Sequence, residues 1–255
     1  MKIVRRDPNC GYLDTWLWIP KKWINVDATK SALSFMFTDN YSGNQRVLSL
    51  WKEATHHLLV PRAFWEPGVL PYDVIDCRPR SYQHFKFKSR IRLDHRPAKI
   101  EGQSVLMPSG DDVQRVSLQK MDDAMGGVLQ LACGLGKTVV ALEKIARGQV
   151  PALVLLDNTN LLEQWRGDIE EFLDVPGGVG VLASGQYEWQ KGIVLATYQT
   201  VAARADAMPE EVRRWFGQIF WDEGHHVSAP VFSKTVDLFY GQRFSLTATP
   251  ERDDG

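Results

Sequence analysis

Cysteine is scarce in this sequence: there are three in 255 residues, Cys10, Cys77 and Cys133, far apart and without a C-x-x-C pair. That argues against a disulfide framework or a cysteine-held zinc, and it favours a reducing interior compartment. Long apolar runs are lacking as well. None approaches the roughly 18 residues of a membrane span, and no apolar stretch follows the arginines of MKIVRRDPNC as a signal peptide would require. The chain is therefore expected in the cytoplasm or at the nucleoid, with no membrane partner. Internal repeats and low-complexity segments are missing too. What remains is ordinary globular material, 44% hydrophobic and 24% charged, enough for a sizeable core.

The net charge of -1 conceals an uneven distribution. Residues 1–100 hold 17 Lys/Arg against 9 Asp/Glu, an excess of eight positive charges. Residues 101–255 hold 13 against 22, an excess of nine negative ones. Five of the nine tryptophans (Trp16, Trp18, Trp23, Trp51 and Trp65) also fall in the basic part. Two domains with different surfaces are expected, 1–105 and 106–255, joined where Pro, Gly, Ser and charged residues cluster at 97–112.

The second region reads as α/β. Short apolar runs recur at 127–132, 152–157, 193–196, 218–222 and 243–248, with helical spacing between several of them, as in Thr138–Ala146 and Leu161–Leu173. Apolar strands alternating with amphipathic helices predict a mainly parallel sheet covered on both faces, with ligands held at the strand ends. The first region predicts a small α+β domain. Ala32–Thr38 and Tyr82–Leu93 alternate as strands do, and Leu48–Val60 is read as starting helical and ending as a strand.

Three strand ends carry chemistry. Gly134-Leu135-Gly136-Lys137-Thr138 follows the run 127–132 and precedes a helix. Glycines let a backbone curl so that its N–H groups face phosphate oxygens; the lysine then reaches the β- and γ-phosphates and the threonine hydroxyl holds Mg²⁺. The strict pattern would need glycine at 131, where Leu131 stands, so a plain glycine-rich turn with a solvated lysine remains the competing reading. Asp222-Glu223-Gly224-His225-His226 ends the run 218–222. There Asp222 is placed to hold a metal and Glu223 to activate water, against a simple solvated acidic strand end. The two histidines are adjacent and lack a third spaced ligand, which disfavours zinc. Thr247-Ala248-Thr249-Pro250 closes the last strand; alone it is ordinary strand-end capping.

As an ordered set these motifs resemble the superfamily 2 helicases and translocases built on RecA-like lobes. LACGLGKT (131–138) is similar to their motif I, DEGH (222–225) to motif II, LTATP (246–250) to motif III, LVLLDNTNLLEQW (153–165) to motif Ia and ATYQTV (196–201) to motif Ic. The branch resembled holds xeroderma-pigmentosum-group-B-like repair helicases, phage UvsW-type helicases and restriction-enzyme motor subunits. The resemblance covers about 113–255. It implies a RecA-like P-loop lobe using ATP and Mg²⁺, with Lys137 and Thr138 on phosphate and metal, Asp222 on the metal and Glu223 on the water. It also implies Gln119 as the adenine-reading glutamine, His225, Thr247 and Thr249 as couplers, and Thr159 and Thr197 on the nucleic-acid backbone. A second RecA-like lobe, in cis or in trans, is implied as a partner.

The implied activity is that of an ATP-dependent DNA helicase or double-strand translocase. The alternatives are a non-catalytic ATP- or DNA-binding module and the motor subunit of a restriction-type system. DNA, duplex or branched and read with little sequence preference, is the expected partner of the basic region. Within it, Lys86, Lys88, Arg90 and Arg92 interleave with Tyr82, Phe85 and Phe87. The rings are expected to form a core face and the cations to meet phosphates.

Overall fold

The computed structural model describes residues 6–38, 45–64, 74–93, 99–100, 103–183, 185–223 and 229–248. The chain divides into two compact units, Met1–Arg78 and Pro79–Arg252. The division thus falls well before residue 105, for a reason given below.

Among its described residues the first unit has a five-stranded sheet, one α-helix and a two-stranded ribbon. Its elements are β1 (Gly11–Leu13), β2 (Leu17–Pro20), α1 (Val26–Ala32), β3 (Ser34–Thr38), β4 (Gln45–Ser49), β5 (Lys52–Glu53), β6 (His57–Val60) and β7 (Val74–Asp76). The sheet runs β5-β6-β2-β1-β7, and β3 pairs with β4 separately. Leu48–Val60, read above as beginning with a helix, is three short strands instead. Val47 pairs with Met36 and Leu59 with Lys52, so tertiary pairing overrides the local helical spacing. Leu17, Ile19, Leu33, Leu58 and Val60 form the small core. Several aromatic rings here lie under their own unit's cations: Lys52 sits over Trp16, Lys30 over Trp51 and Arg6 over Trp18.

The second unit is the α/β lobe. It comprises β8 (Lys88–Ser89), β9 (Lys99–Ile100), β10 (Gln103–Ser104), α2 (Val113–Asp123), β11 (Gly126–Gln130), α3 (Lys137–Gly148), β12 (Ala152–Leu156) and α4 (Thr159–Phe172). There follow β13 (Leu173–Asp174), β14 (Val179–Leu182), β15 (Ile193–Thr197), α5 (Tyr198–Arg204), α6 (Glu210–Trp215), β16 (Gln218–Asp222), α7 (Ala229–Val236) and β17 (Gln242–Thr247). Six strands make a parallel sheet in the order β11-β17-β16-β12-β15-β14. Alternate residues serve opposite faces. Ala152, Val154 and Leu156 of β12 join the core beneath α2, α3 and α4, whereas Leu153 and Leu155 join the one beneath α5, α6 and the region around Phe239. Burial on both faces is why these strands read as unbroken apolar runs.

The segment 79–93 belongs to this lobe. Phe87 and Leu93 are in its core, with Phe85 and Ile91 packed against it. The backbone N–H of Phe85 donates to the Gln149 carbonyl at 2.8 Å, and the Gln149 side chain donates to the Phe87 carbonyl at 2.9 Å. β8 pairs antiparallel with β13. The rings point inward and Lys86, Lys88, Arg90 and Arg92 lie on the exposed side, although only two residues of the stretch form a strand. Arg90 departs from its expected DNA-facing role: its guanidinium donates to the carbonyls of Glu170, Glu171 and Leu173, capping the end of α4. If the segment is part of the lobe's core, Phe87→Ala should lower stability by about 3 kcal/mol. A urea denaturation midpoint unchanged by that substitution would show the segment to be peripheral.

Candidate functional site

Parallel strands of one sheet bring their carboxyl ends to one edge, and the three motifs sit there. Between β11 and α3 the chain turns on Gly134 and Gly136, both at φ +82°, a left-handed conformation that side chains resist. Gly136 caps α3 without any side-chain bond, so the first-turn N–H groups are left for a ligand. The Leu135 carbonyl turns the other way and accepts the Gln114 amide at 3.0 Å.

Lys137, the first residue of α3, reaches across to Glu223, with Nζ 3.0 Å from Oε1. Glu223 lies just past β16 at φ +47°, and its N–H donates to the Leu246 carbonyl at 2.9 Å. Asp222 ends β16 and is buried. Its Oδ2 accepts the indole N–H of Trp165 at 2.7 Å, and its backbone carbonyl accepts the Tyr198 hydroxyl at 3.2 Å. Burial raises the proton affinity of Asp222, the Trp165 bond lowers it, the Glu223 charge raises it and Lys137 lowers it. The Tyr198 hydroxyl is held far above the ordinary phenol range, by burial first and then by Asp222, Asp157 and Glu223. Thr247, the last residue of β17, is buried and its carbonyl accepts the Leu131 N–H at 3.1 Å, joining the ends of β17 and β11.

The structure brings Gly134, Leu135, Gly136, Lys137, Asp222 and Glu223 together and places Thr138 in the first turn of α3. It does not bring Gln119 to the loop. Gln119 is exposed on α2, and Gln114, one and a half turns earlier, contacts the loop instead. Sequence reading missed Gln114 because only its position on α2 distinguishes the two glutamines. Trp165 and Tyr198 were also missed as site residues; their signal was merely that of core aromatics. Thr159 opens α4 and is exposed beside the capping Asn158. Thr197 is buried and caps α5, its hydroxyl donating to that of Thr200 at 2.8 Å. His225 and Thr249 lie outside the described residues.

A hydroxyl, a buried carboxylate, a lysine and bare helix-end N–H groups form a hard, oxygen-rich set suited to Mg²⁺ and phosphate. Among the described residues no cluster of His, Cys, Asp and Glu is arranged to hold a metal by protein groups alone. Cavities of about 220 Å³ beside Tyr187–Lys191 and about 600 Å³ beside Arg6 and His56 lie elsewhere. A phosphate loop is a backbone ledge, so no deep cavity is needed. No helix among the described residues is long and apolar enough to cross a membrane.

The fold is that of a RecA-like α/β lobe built on a parallel sheet. The chain belongs to the family described as Type III restriction enzyme, res subunit, which matches residues 76–252. Over 131 residues it is 37% identical to the DNA 3'-5' translocase XPB2 of Sulfurisphaera tokodaii, covering 51% of this chain and 28% of that protein. Over 148 residues it is 30% identical to the DNA 3'-5' helicase XPB of Mycobacterium tuberculosis, covering 56% and 27%. The chain thus spans about a quarter of the length of these relatives. The crystal structure of the UvsW helicase from bacteriophage T4 shares the fold, with a TM-score of 0.55 at 14% identity over 94% of this chain and 92% of that one.

The Gln114 bond can be weighed against backbone strain. Both loop glycines are left-handed, but a Cβ on Gly136 would stand 2.2 Å from Gln114 Nε2, whereas one on Gly134 would meet only the Lys99 carbonyl at 3.8 Å. Gly134→Ala should cost about 1 kcal/mol from strain, and Gly136→Ala about 2 kcal/mol once the Gln114 bond is displaced as well. The difference should vanish in a Gln114→Ala background, measured by chemical denaturation.

Proposed function

We propose that this chain supplies the first motor lobe of an ATP-dependent DNA helicase or double-strand DNA translocase. The carrying observation is the placement of Lys137, Asp222 and Glu223 together at the carboxyl edge of the parallel sheet, with Lys137 and Glu223 already paired. The relatives' names, a DNA translocase and a DNA helicase, support DNA as the track. Bound Mg²⁺ would supply positive charge against the phosphoryl group as it is transferred. Thr138 and Asp222 would hold it.

The chain's own residues do the rest. First-turn N–H groups of α3 bind phosphate oxygens, and Lys137 turns from Glu223 to the β- and γ-phosphates. Glu223, released, accepts a proton from the attacking water. Gln114 stands at the loop where an adenine-reading residue is needed, the role first given to Gln119. Thr247 ties the acid-pair strand's neighbour to the loop strand. A second RecA-like lobe, in cis or in trans, would complete the site. The family's description supports a second reading, the motor subunit of a restriction system; a cleavage assay on the full-length protein separates the two.

Two predictions test the motor-lobe reading. In calorimetry, Lys137→Ala should remove most affinity for Mg²⁺-nucleotide, because it deletes the charge opposite the phosphates. Glu223→Gln should leave that affinity equal or higher, since Lys137 no longer has to leave a carboxylate, while hydrolysis by the full-length motor stops. Equal affinity in wild type and Lys137→Ala would reject the phosphate assignment. The third outcome concerns the track. Charge reversal at Lys86, Lys88 and Arg92 should weaken duplex binding uniformly across sequences. It should also flatten the salt dependence, by about 0.9 in slope for each phosphate the protein no longer neutralises. Arg90, which caps α4, is left out. Reduced thermal stability with an unchanged salt slope would instead show that these cations serve the lobe.

A further inference from the structure

Trp165 holds a position that packing alone does not explain. It lies midway along α4 with 1% of its surface exposed, between Leu162 and Ile169 on the buried face. Leucine or phenylalanine would fill such a place without bringing in a polar atom, whereas a buried indole N–H needs an acceptor. Its acceptor here is Oδ2 of Asp222, at 2.7 Å. One carboxylate oxygen is thereby committed to α4, and the torsion of the carboxylate is set by where that helix stands. The hydrogen bond is short and charge-assisted, so a relative shift of about 1 Å takes it out of bonding range.

The helix carrying Trp165 is secured at both ends by other groups. Asn158 accepts the Leu161 N–H at 3.0 Å at its start, and Arg90 binds the carbonyls of Glu170, Glu171 and Leu173 at its finish. Thr159 is its first residue and is exposed. A push on the exposed end therefore moves a stiff rod whose middle is bonded to the acid pair. The second helix to touch Asp222, α5, does so through the Tyr198 hydroxyl to the backbone carbonyl, which fixes the strand end but not the side-chain torsion.

We infer that Trp165 is a positioning residue: its indole N–H orients the Asp222 carboxylate toward the metal side of the site and makes that orientation depend on the placement of α4. The inference rests on the motor-lobe reading above, in which Asp222 holds Mg²⁺. Trp165 touches neither nucleotide nor metal and acts only through Asp222.

The test compares nucleotide binding with and without metal in the full chain. ADP is titrated by calorimetry in EDTA and again in Mg²⁺, for wild type and for Trp165→Phe. A second variant replaces Trp165 with its benzothiophene isostere, in which sulfur stands for the N–H at nearly unchanged shape, so packing is kept even where phenylalanine leaves a gap. Affinity in EDTA should be unchanged and the gain in affinity conferred by Mg²⁺ should fall roughly tenfold, the loss typical of one hydrogen bond to a charged group. A merely structural tryptophan would lower both affinities together in Trp165→Phe and neither in the isostere. That pattern, or a Mg²⁺ gain equal to wild type in both variants, overturns the inference and leaves the motor-lobe reading standing. A wild-type chain that binds no nucleotide overturns the motor-lobe reading itself and this inference with it.

Discussion

A carboxylate placed at the last residue of a strand buried on both faces is the constraint on which this lobe turns. Burial favours the protonated form of Asp222, and the neighbouring Glu223 charge pushes the same way. The Trp165 indole N–H, the Lys137 charge and the Glu223 backbone N–H push the other way, toward the charged form that the proposed metal binding would need. These come from three separate βα units. The environment of Asp222 therefore exists only when β11, β12 and β16 stand in their sheet positions with α3 and α4 packed on the same face. The function of the site and the register of the sheet are in this sense one problem.

The lobe's strands were legible because both their faces are covered. All five apolar runs became strands of the parallel sheet with ends displaced by at most two residues. β14 escaped notice because it follows Gly177 and Gly178 and spans four residues. α2 escaped because its buried residues, Val113, Leu118 and Met121, sit among exposed polar ones without an even helical spacing. In the first unit, strands of two to five residues are too short for any period to declare itself. The domain division was misplaced for a different reason. Pro, Gly and Ser at 97–112 look like a linker, but a boundary lies where the packing changes, and Phe87 and Leu93 already belong to the lobe's core.

At the site, residue types in order along the chain were enough to name the loop, the lysine and the acid pair. They were not enough to choose between two glutamines five positions apart on one helix. Five residues turn an α-helix by about 500°, so Gln114 and Gln119 differ by about 140° in direction. The bond from the Gln114 amide to the Leu135 carbonyl shows which of the two meets the loop, and Gln119 is exposed on another side of α2. Trp165 and Tyr198 were invisible as site residues because nothing in a sequence tells a core aromatic from one whose single polar atom is aimed at a carboxylate. Alternation succeeded in the stretch 85–93, rings inward and cations outward, even though the backbone there pairs over only two residues. Burial of one side suffices to impose the pattern without a ladder.

The pairing of Lys137 with Glu223 ties the loop to the acid pair. Glu223 is a non-glycine residue at φ +47°, a conformation that costs on the order of 1 kcal/mol or more and persists only when its surroundings hold it. Its N–H to Leu246 and its carboxylate to Lys137 supply that hold. In the proposed reading, a phosphate arriving at the α3 N-terminus would compete for the same ammonium, so substrate binding would release the acid's side-chain anchor while the backbone anchor to β17 remained. The carboxylate can then turn while its Cα stays fixed. In the proposed motor lobe, pairing of the acid and its release to act as base would both follow from a single lysine having two partners that it cannot serve at once.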